Sequence, residues 1–181
     1  MKLDYGAWAA RWRVPLGFAF AVAYVVFSQP TLTALTAGGA LAFIGLLLRA
    51  SAAGHIEKSQ RLAASGPFRY CRHPLYLGSF ILGLGLVVAG HSWALAVAYL
   101  ALFAFIYGTV MRREEAFLRQ KFGSAYDDYA RSVALFFPLP GRVAAKGSRF
   151  EWKRYRANRE YQAALGYFGM IAFLVLKLVL G

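Results

Sequence analysis

The chain has 181 residues, of which 59% are hydrophobic and only 16% charged, and its mean hydropathy is +0.46. These proportions exclude an ordinary soluble domain and describe one membrane domain by length. The formal net charge of +13 is gathered between apolar segments, which favours anionic lipid headgroups over nucleic acid as its partner, and the single cysteine, Cys71, excludes an internal disulfide and a cysteine-based metal cluster.

In chain order, Met1 to Arg13 mixes Lys2, Arg11 and Arg13 with Tyr5, Trp8 and Trp12, a composition suited to the headgroup region. No cleavable leader is expected, because the apolar run that follows lacks a convincing small-residue cleavage site. Residues 14–48 carry no charge. As one helix that run would reach roughly 50 Å, against a hydrocarbon core of about 30 Å, so it must fold back. Gln29-Pro30-Thr31 supplies the break, which predicts spans over 14–28 and 31–48.

The connection from Arg49 to His73 holds Arg49, Lys58, Arg61, Arg69 and Arg72 against one acid, Glu57, and reads as cytoplasmic by the positive-inside rule. A second hairpin follows, with spans over 75–89 and 93–110 joined by Gly90-His91-Ser92. Both basic ends then lie inside, with the N-terminus, and both hairpin tips outside. Within a cytoplasmic segment over 111–141, Arg112 to Arg131 is expected to leave the membrane as a helix, and Phe136-Phe137-Pro138-Leu139-Pro140-Gly141 to form an apolar turn. Phe117, Leu118, Phe122 and Ala125 recur there at helical spacing, Gly123 interrupts the pattern, and Ser124 is placed to cap a new helix.

Residues 142–162 form a basic interfacial segment in which Arg142, Lys146, Arg149, Lys153, Arg154, Arg156 and Arg159 are interleaved with Phe150, Trp152 and Tyr155. Attraction to anionic lipid of about 1 kcal/mol per basic residue accumulates over 142–159. A fifth apolar segment, 163–180, is long enough to span and carries Lys177, which can snorkel. The predicted fold class is therefore all-α, a polytopic membrane protein of about five helices: two hairpins and a C-terminal helix.

The chemistry concentrates in Gly66–Gly78. Pro74 fits the first position of a helix, because its missing N–H would be unpaired there anyway, and His73 then sits at the helix mouth. Free N–H groups, the positive end of the helix dipole and Arg72 favour an anion at that point. The hairpin brings this mouth against Glu114 and Glu115 at the end of the fourth span. A cationic pole facing two carboxylates suits a zwitterion such as an amino-acid head. The blander alternative makes Glu115 and Arg119 a surface ion pair worth about 0.2–0.5 kcal/mol and Tyr76 an interfacial anchor. Cys71 reads as a small buried residue rather than a nucleophile.

Taken together, Gly66-Pro67-Phe68-Arg69, Arg72-His73-Pro74, Tyr76 and Gly78, followed by Glu114-Glu115, Phe122-Gly123, Tyr126, Tyr129, Arg131-Ser132-Val133 and Phe137-Pro138, resemble the linked motifs of one family. These are the integral membrane methyltransferases related to isoprenylcysteine carboxyl methyltransferase and the phospholipid methyltransferases. The resemblance covers roughly half the chain. It implies S-adenosylmethionine as cofactor, with Arg72 and His73 near the methionine carboxylate, Tyr76 and Gly78 beside them, Glu114 and Glu115 at the ammonium, and Tyr126, Tyr129, Phe137 and Pro138 enclosing the rest.

Methyl transfer from a sulfonium is an in-line displacement that depends on positioning, so no catalytic residue is expected unless the acceptor is an amine, when Glu114 or Glu115 would act as base. A prenylated cysteine carboxylate, a phospholipid amine and a small thiol all remain open as acceptors. Two other readings stand beside this one: an NADPH-dependent sterol-type reductase, whose family carries a similar Arg-His-Pro stretch, and a non-catalytic lipid-binding scaffold.

Overall fold

Proline and glycine set where this chain turns. The computed structural model describes residues 5–56, 61–139 and 149–181. Helix α1 (Tyr5–Phe27) stops before Ser28-Gln29-Pro30, and Thr31 caps α2 (Leu32–His55) by accepting from the Ala34 amide at 3.2 Å. A 3₁₀ turn over Gly66–Arg69 leads to α3 (Pro74–Ala89), with Pro74 at its first position. Then come α4 (Trp93–Phe122), α5 (Ser124–Ser132), α6 (Trp152–Ala157) and α7 (Tyr161–Leu180). The described residues contain no strand, only an isolated parallel bridge between Cys71 and Ala134.

Helices α2, α4 and α7 are long and apolar enough to cross a membrane, and Pro15–Phe27 and Pro74–Ala89 are shorter apolar helices beside them. The protein is thus an all-α polytopic membrane protein. Four elements differ in extent from the sequence reading, the first being α1, which begins at Tyr5 rather than at residue 14. Helix α2 continues past Leu48 because Arg49 is neutralised inside the fold by Glu160. Helix α4 runs unbroken for 30 residues, about 45 Å at about 1.5 Å per residue, so it outreaches a core of about 30 Å. The cap of α5 is Gly123 at φ 55°, with Ser124 already inside the helix.

The tightest packing joins α2 to α3. A Cβ on Gly45 would lie 2.7 Å from the Gly78 carbonyl oxygen and inside contact distance of the Leu82 amide nitrogen; Gly38 and Gly85 meet the opposite backbone in the same way. Helix α7 lies against this pair, with the Tyr167 hydroxyl donating to the Gly39 carbonyl at 3.1 Å. Helix α1 packs on α4, where Phe20 and Tyr99 have ring centroids 6.1 Å apart.

One end of the bundle gathers both hairpin tips: the Gln29 amide donates to the Gly90 carbonyl at 2.7 Å. Lys177 serves that end by donating to the carbonyls of Val25 (2.7 Å) and Val26 (3.2 Å), among the last carbonyls of α1, which lack helical partners. At the other end the segment after residue 148 caps α2. The Glu151 amide and the Asn158 side chain donate to the carbonyls of Gly54 and Ala53, both at 3.0 Å. Arg159 then takes a left-handed conformation, φ 55°, that turns the chain from α6 into α7 and delivers Glu160 to the interior. Of the basic and aromatic residues singled out above, Lys2, Lys58, Arg142 and Lys146 lie outside the described residues.

Gly45→Ala should destabilise the protein by about 1–3 kcal/mol through overpacking. Gly166→Ala, where a Cβ meets nothing within 4 Å, should be neutral or stabilising by up to about 1 kcal/mol from helix propensity. Thermal unfolding in neutral detergent, followed by tryptophan fluorescence, checks both.

Candidate functional site

The mouth of α3 opens into a cavity of about 770 Å³. Arg72, His73 and Tyr76 reach it from the start of α3, Glu114 from α4, and Tyr126 and Tyr129 from α5. His73 is the N-cap residue and is 4% exposed. Its ring stacks on Tyr76 with centroids 5.5 Å apart, and the Tyr76 hydroxyl donates to Glu114 Oε2 at 2.7 Å.

Glu115 stands behind the cavity wall and ties the poles together. It pairs with Arg72 Nη1 at 2.8 Å, accepts from the Tyr126 hydroxyl at 2.8 Å, and lies 3.5 Å from His73 Nε2. Arg119 pairs instead with Asp127 at 2.7 Å, so the helical Glu115–Arg119 pair yields to a longer-range one. Among the described residues, three buried side-chain nitrogens have no hydrogen-bond partner: Arg69 Nε, Arg72 Nε and His73 Nε2. Two of them belong to this cluster. Buried polar atoms are costly to leave unpaired, and Arg72 Nε is a donor that a ligand acceptor could meet here.

Burial pulls the His73 imidazole below its ordinary value; Glu114 and Glu115 oppose that pull and Arg72 adds to it. The ring is therefore neutral at neutral pH. Burial, followed by the hydrogen bond to Glu115, pushes the Tyr126 phenol up to about 12, so it remains a donor. Burial likewise raises Tyr129, whose hydroxyl donates to the Phe68 carbonyl at 2.8 Å and locks α5 onto the 3₁₀ turn. Cys71 is pushed up to about 11 by burial, which leaves it an inert thiol.

Four of the residues implied by the resemblance stand outside the cavity lining: Glu115, behind the wall, and Gly78, Phe137 and Pro138. Gly78 is buried in the α2–α3 seam, 2.9 Å by its would-be Cβ from the Gly45 carbonyl oxygen, so its observed role is close helix approach. Phe137, 70% exposed, and Pro138 face outward. Phe136 is the residue of that turn that packs inward, against Phe80 and Phe103 at centroid distances of 5.8 and 6.0 Å. Conversely, Arg49, Ser79, Tyr107 and Glu160 line the cavity and went unremarked as site residues in the sequence. The available signal was Glu160 itself, an acid closing a run of basic residues just before an apolar helix.

The chain matches the phospholipid methyltransferase family over residues 18–125. It is 40% identical over 82 residues to a nickel-cobalt-cadmium resistance protein of Alcaligenes xylosoxydans xylosoxydans, covering 45% of this chain and 38% of that protein. It is 35% identical over 109 residues to a protein-S-isoprenylcysteine O-methyltransferase of Schizosaccharomyces pombe, covering 53% and 46% respectively. An Arabidopsis thaliana protein-S-isoprenylcysteine O-methyltransferase A is 35% identical over 83 residues, covering 46% and 42%. The chain thus spans less than half the length of these curated relatives. No solved structure matches it. Among the described residues, no group of three or more His, Cys, Asp or Glu is placed to hold a metal ion.

The buried imidazole makes the fold sensitive to acid. With the folded-state value depressed, the unfolded chain takes up the His73 proton first, so stability is fully present above the ordinary value of about 6.5 and falls as pH drops through it. The thermal midpoint of the wild type should decline between pH 7.5 and 5.5 more steeply than that of His73→Gln, as scanning fluorimetry in neutral detergent would show.

Proposed function

The chain belongs to the phospholipid methyltransferase family, and on that premise we propose that it transfers a methyl group from S-adenosylmethionine to a lipophilic, membrane-embedded acceptor, releasing S-adenosylhomocysteine. The observation that carries this reading is the meeting of Arg72 and His73 with Glu114 and Glu115 around one cavity at the mouth of α3. The unpartnered Arg72 Nε is a donor that a carboxylate takes, with the His73 ring beside it, and Glu114, joined to Tyr76, offers an acceptor to an ammonium. These residues fit the amino-acid head of the cofactor.

When bound, S-adenosylmethionine supplies a methyl group on an electron-poor sulfonium. The chain's part is positioning. Arg72 and His73 orient the head, Tyr126 and Tyr129 close the side of the cavity formed by α5, and Ile106, Tyr107 and Val110 of α4 give it an apolar wall that excludes water. A carboxylate or thiolate acceptor attacks without a base; an amine would need to lose a proton first, and Glu114 is the carboxylate of the pair that lines the cavity.

In the same reading the five apolar helices are the spans, 111–141 encloses the cofactor, and the N-terminus and cavity face the cytoplasm, because the charged connections gather at the cavity end. The basic segment rests on anionic lipid. Trp152, Lys153 and Arg156 of α6 surround one shallow surface hollow, and Trp152 stands exposed.

Arg72→Lys and Glu114→Gln should each weaken binding of S-adenosylhomocysteine about tenfold, the loss expected for one charged hydrogen bond, while the thermal midpoint without ligand changes little. Calorimetry against the purified protein measures this, with NADPH as the comparison for a reductase. Unchanged affinity in both variants, or a preference for NADPH, overturns the assignment. Labelled cofactor incubated with a membrane lipid extract, followed by mass spectrometry, then identifies the acceptor.

A further inference from the structure

The segment after α5 has a face that neither the cavity nor the bundle uses. Residues 133–140 contain no charged or hydrogen-bonding side chain, and Arg131 and Arg142 stand on either side of them in the sequence. Phe136 turns inward, whereas Leu135, Phe137 and Leu139 turn outward and are 42, 70 and 62% exposed. Apolar side chains left in water at three alternate positions forfeit their burial energy, so the face calls for an apolar partner.

The inward ring fixes the depth of this segment. Phe136 packs on Phe80 and Phe103. Phe80 stands six residues beyond Pro74, about 9 Å along α3, and Phe103 eleven residues before Glu114, about 16 Å along α4, at about 1.5 Å per residue. Both lie on the membrane side of the cavity mouth, and the backbone that carries Phe136 is one side chain away from them. Leu135 and Phe137 leave that backbone away from the bundle, a direction that at this depth leads to lipid. The exposed face is thus continuous with the lipid-facing surface of the apolar helices.

A non-helical chain tolerates the edge of the hydrocarbon only where its polar backbone groups are satisfied. Here the Ala134 carbonyl accepts from the Arg72 amide at 2.8 Å, the Leu139 amide donates to the Tyr70 carbonyl at 3.1 Å, and Pro138 has no N–H to leave unpaired. The arginines that border the segment in sequence suit the headgroup layer above it.

We propose that residues 135–139 are a membrane-inserted anchor, with Leu135, Phe137 and Leu139 among the acyl chains of the leaflet on the cavity side, at their boundary with the headgroups. The occupant of the face is the lipid bilayer. Because Val133 follows α5 directly and Tyr126 and Tyr129 of α5 line the cavity, the anchor fastens that wall of the cavity to the membrane. The inference does not depend on which reaction the cavity performs.

The test places a nitroxide label on Phe137→Cys and on Leu139→Cys of the full chain in phosphatidylcholine nanodiscs. Leu100→Cys, on an exposed position of α4, serves as the lipid reference, and Asp128→Cys, on the exposed side of α5, as the water reference. Cys71 is buried, and wild-type protein treated alike gives the background. Power saturation compares collisions of each label with oxygen, which concentrates among acyl chains, and with a neutral nickel chelate, which stays in water. Oxygen should dominate at 137 and 139, as at 100, and nickel at 128, so that the logarithm of the ratio changes sign between the two groups. A nickel-dominated signal at either 137 or 139 overturns the proposal. Spin–spin broadening at 137 that disappears on dilution with unlabelled protein puts a second copy on this face and also overturns it. The same measurement is repeated with S-adenosylhomocysteine. An oxygen signature present in both conditions supports the anchor, whereas one that appears only with the added compound makes these side chains a ligand-dependent lid and overturns it.

Discussion

Along the α2–α3 seam two helix backbones approach as closely as glycine permits, at Gly38 against Gly85 and at Gly45 against Gly78 and Leu82. In a membrane, helices gain little from hiding apolar side chains from lipid that is equally apolar, so close backbone packing over small residues supplies much of the adhesion. That contact sets the rest. It places Arg49 of α2 beside Leu75 and Ser79 of α3 and leaves the mouth of α3 facing α4. Helix α7 then reaches the same seam through Tyr167 and contributes Glu160.

Both charged poles of the cavity are held by cross-links between elements distant in sequence. Arg72 with Glu115 joins the start of α3 to α4, and Arg49 with Glu160 joins α2 to the start of α7. Removing one member of such a pair strands a charge in a poorly solvated place, at a cost of about 3–5 kcal/mol, whereas the intact pair adds little net stability. By contrast, the exposed pair of Arg131 with Asp128 on α5 is worth about 0–1 kcal/mol. Energy alone therefore gives no reason to bury the first two. The place of Arg72, Arg49 and Glu160 on the wall of a cavity does.

Much of this was legible because it is local. Pro30 and Pro74 mark where helices cannot continue or are ready to begin, and the positions of charges along the chain reveal which ends meet; from these the all-α membrane architecture and the facing of Arg72 and His73 by Glu114 and Glu115 both follow. What escaped is long-range or depends on orientation. Arg49 and Glu160 are 111 residues apart, and no periodicity joins them. Gly78 belongs to a motif but spends its missing side chain on the seam with α2, and the turn at Phe136-Phe137 sends inward the ring that the motif does not include. Lys177 looked like a charge in search of water, yet the exposed carbonyls at the end of α1 give it partners without leaving the bundle.

The continuity of α4 turns it into a ruler. Tyr107 and Glu114, both on the cavity wall, are seven residues apart on one unbroken helix, so they lie about 10.5 Å apart along its axis and within about 20° of the same face. Depth in the membrane and azimuth around the helix are thereby locked together. A single residue inserted between them would swing Glu114 through about 100° and lift it about 1.5 Å, away from Tyr76. The distance between the apolar wall and the carboxylate is thus a quantised length, adjustable only in near-whole turns of helix.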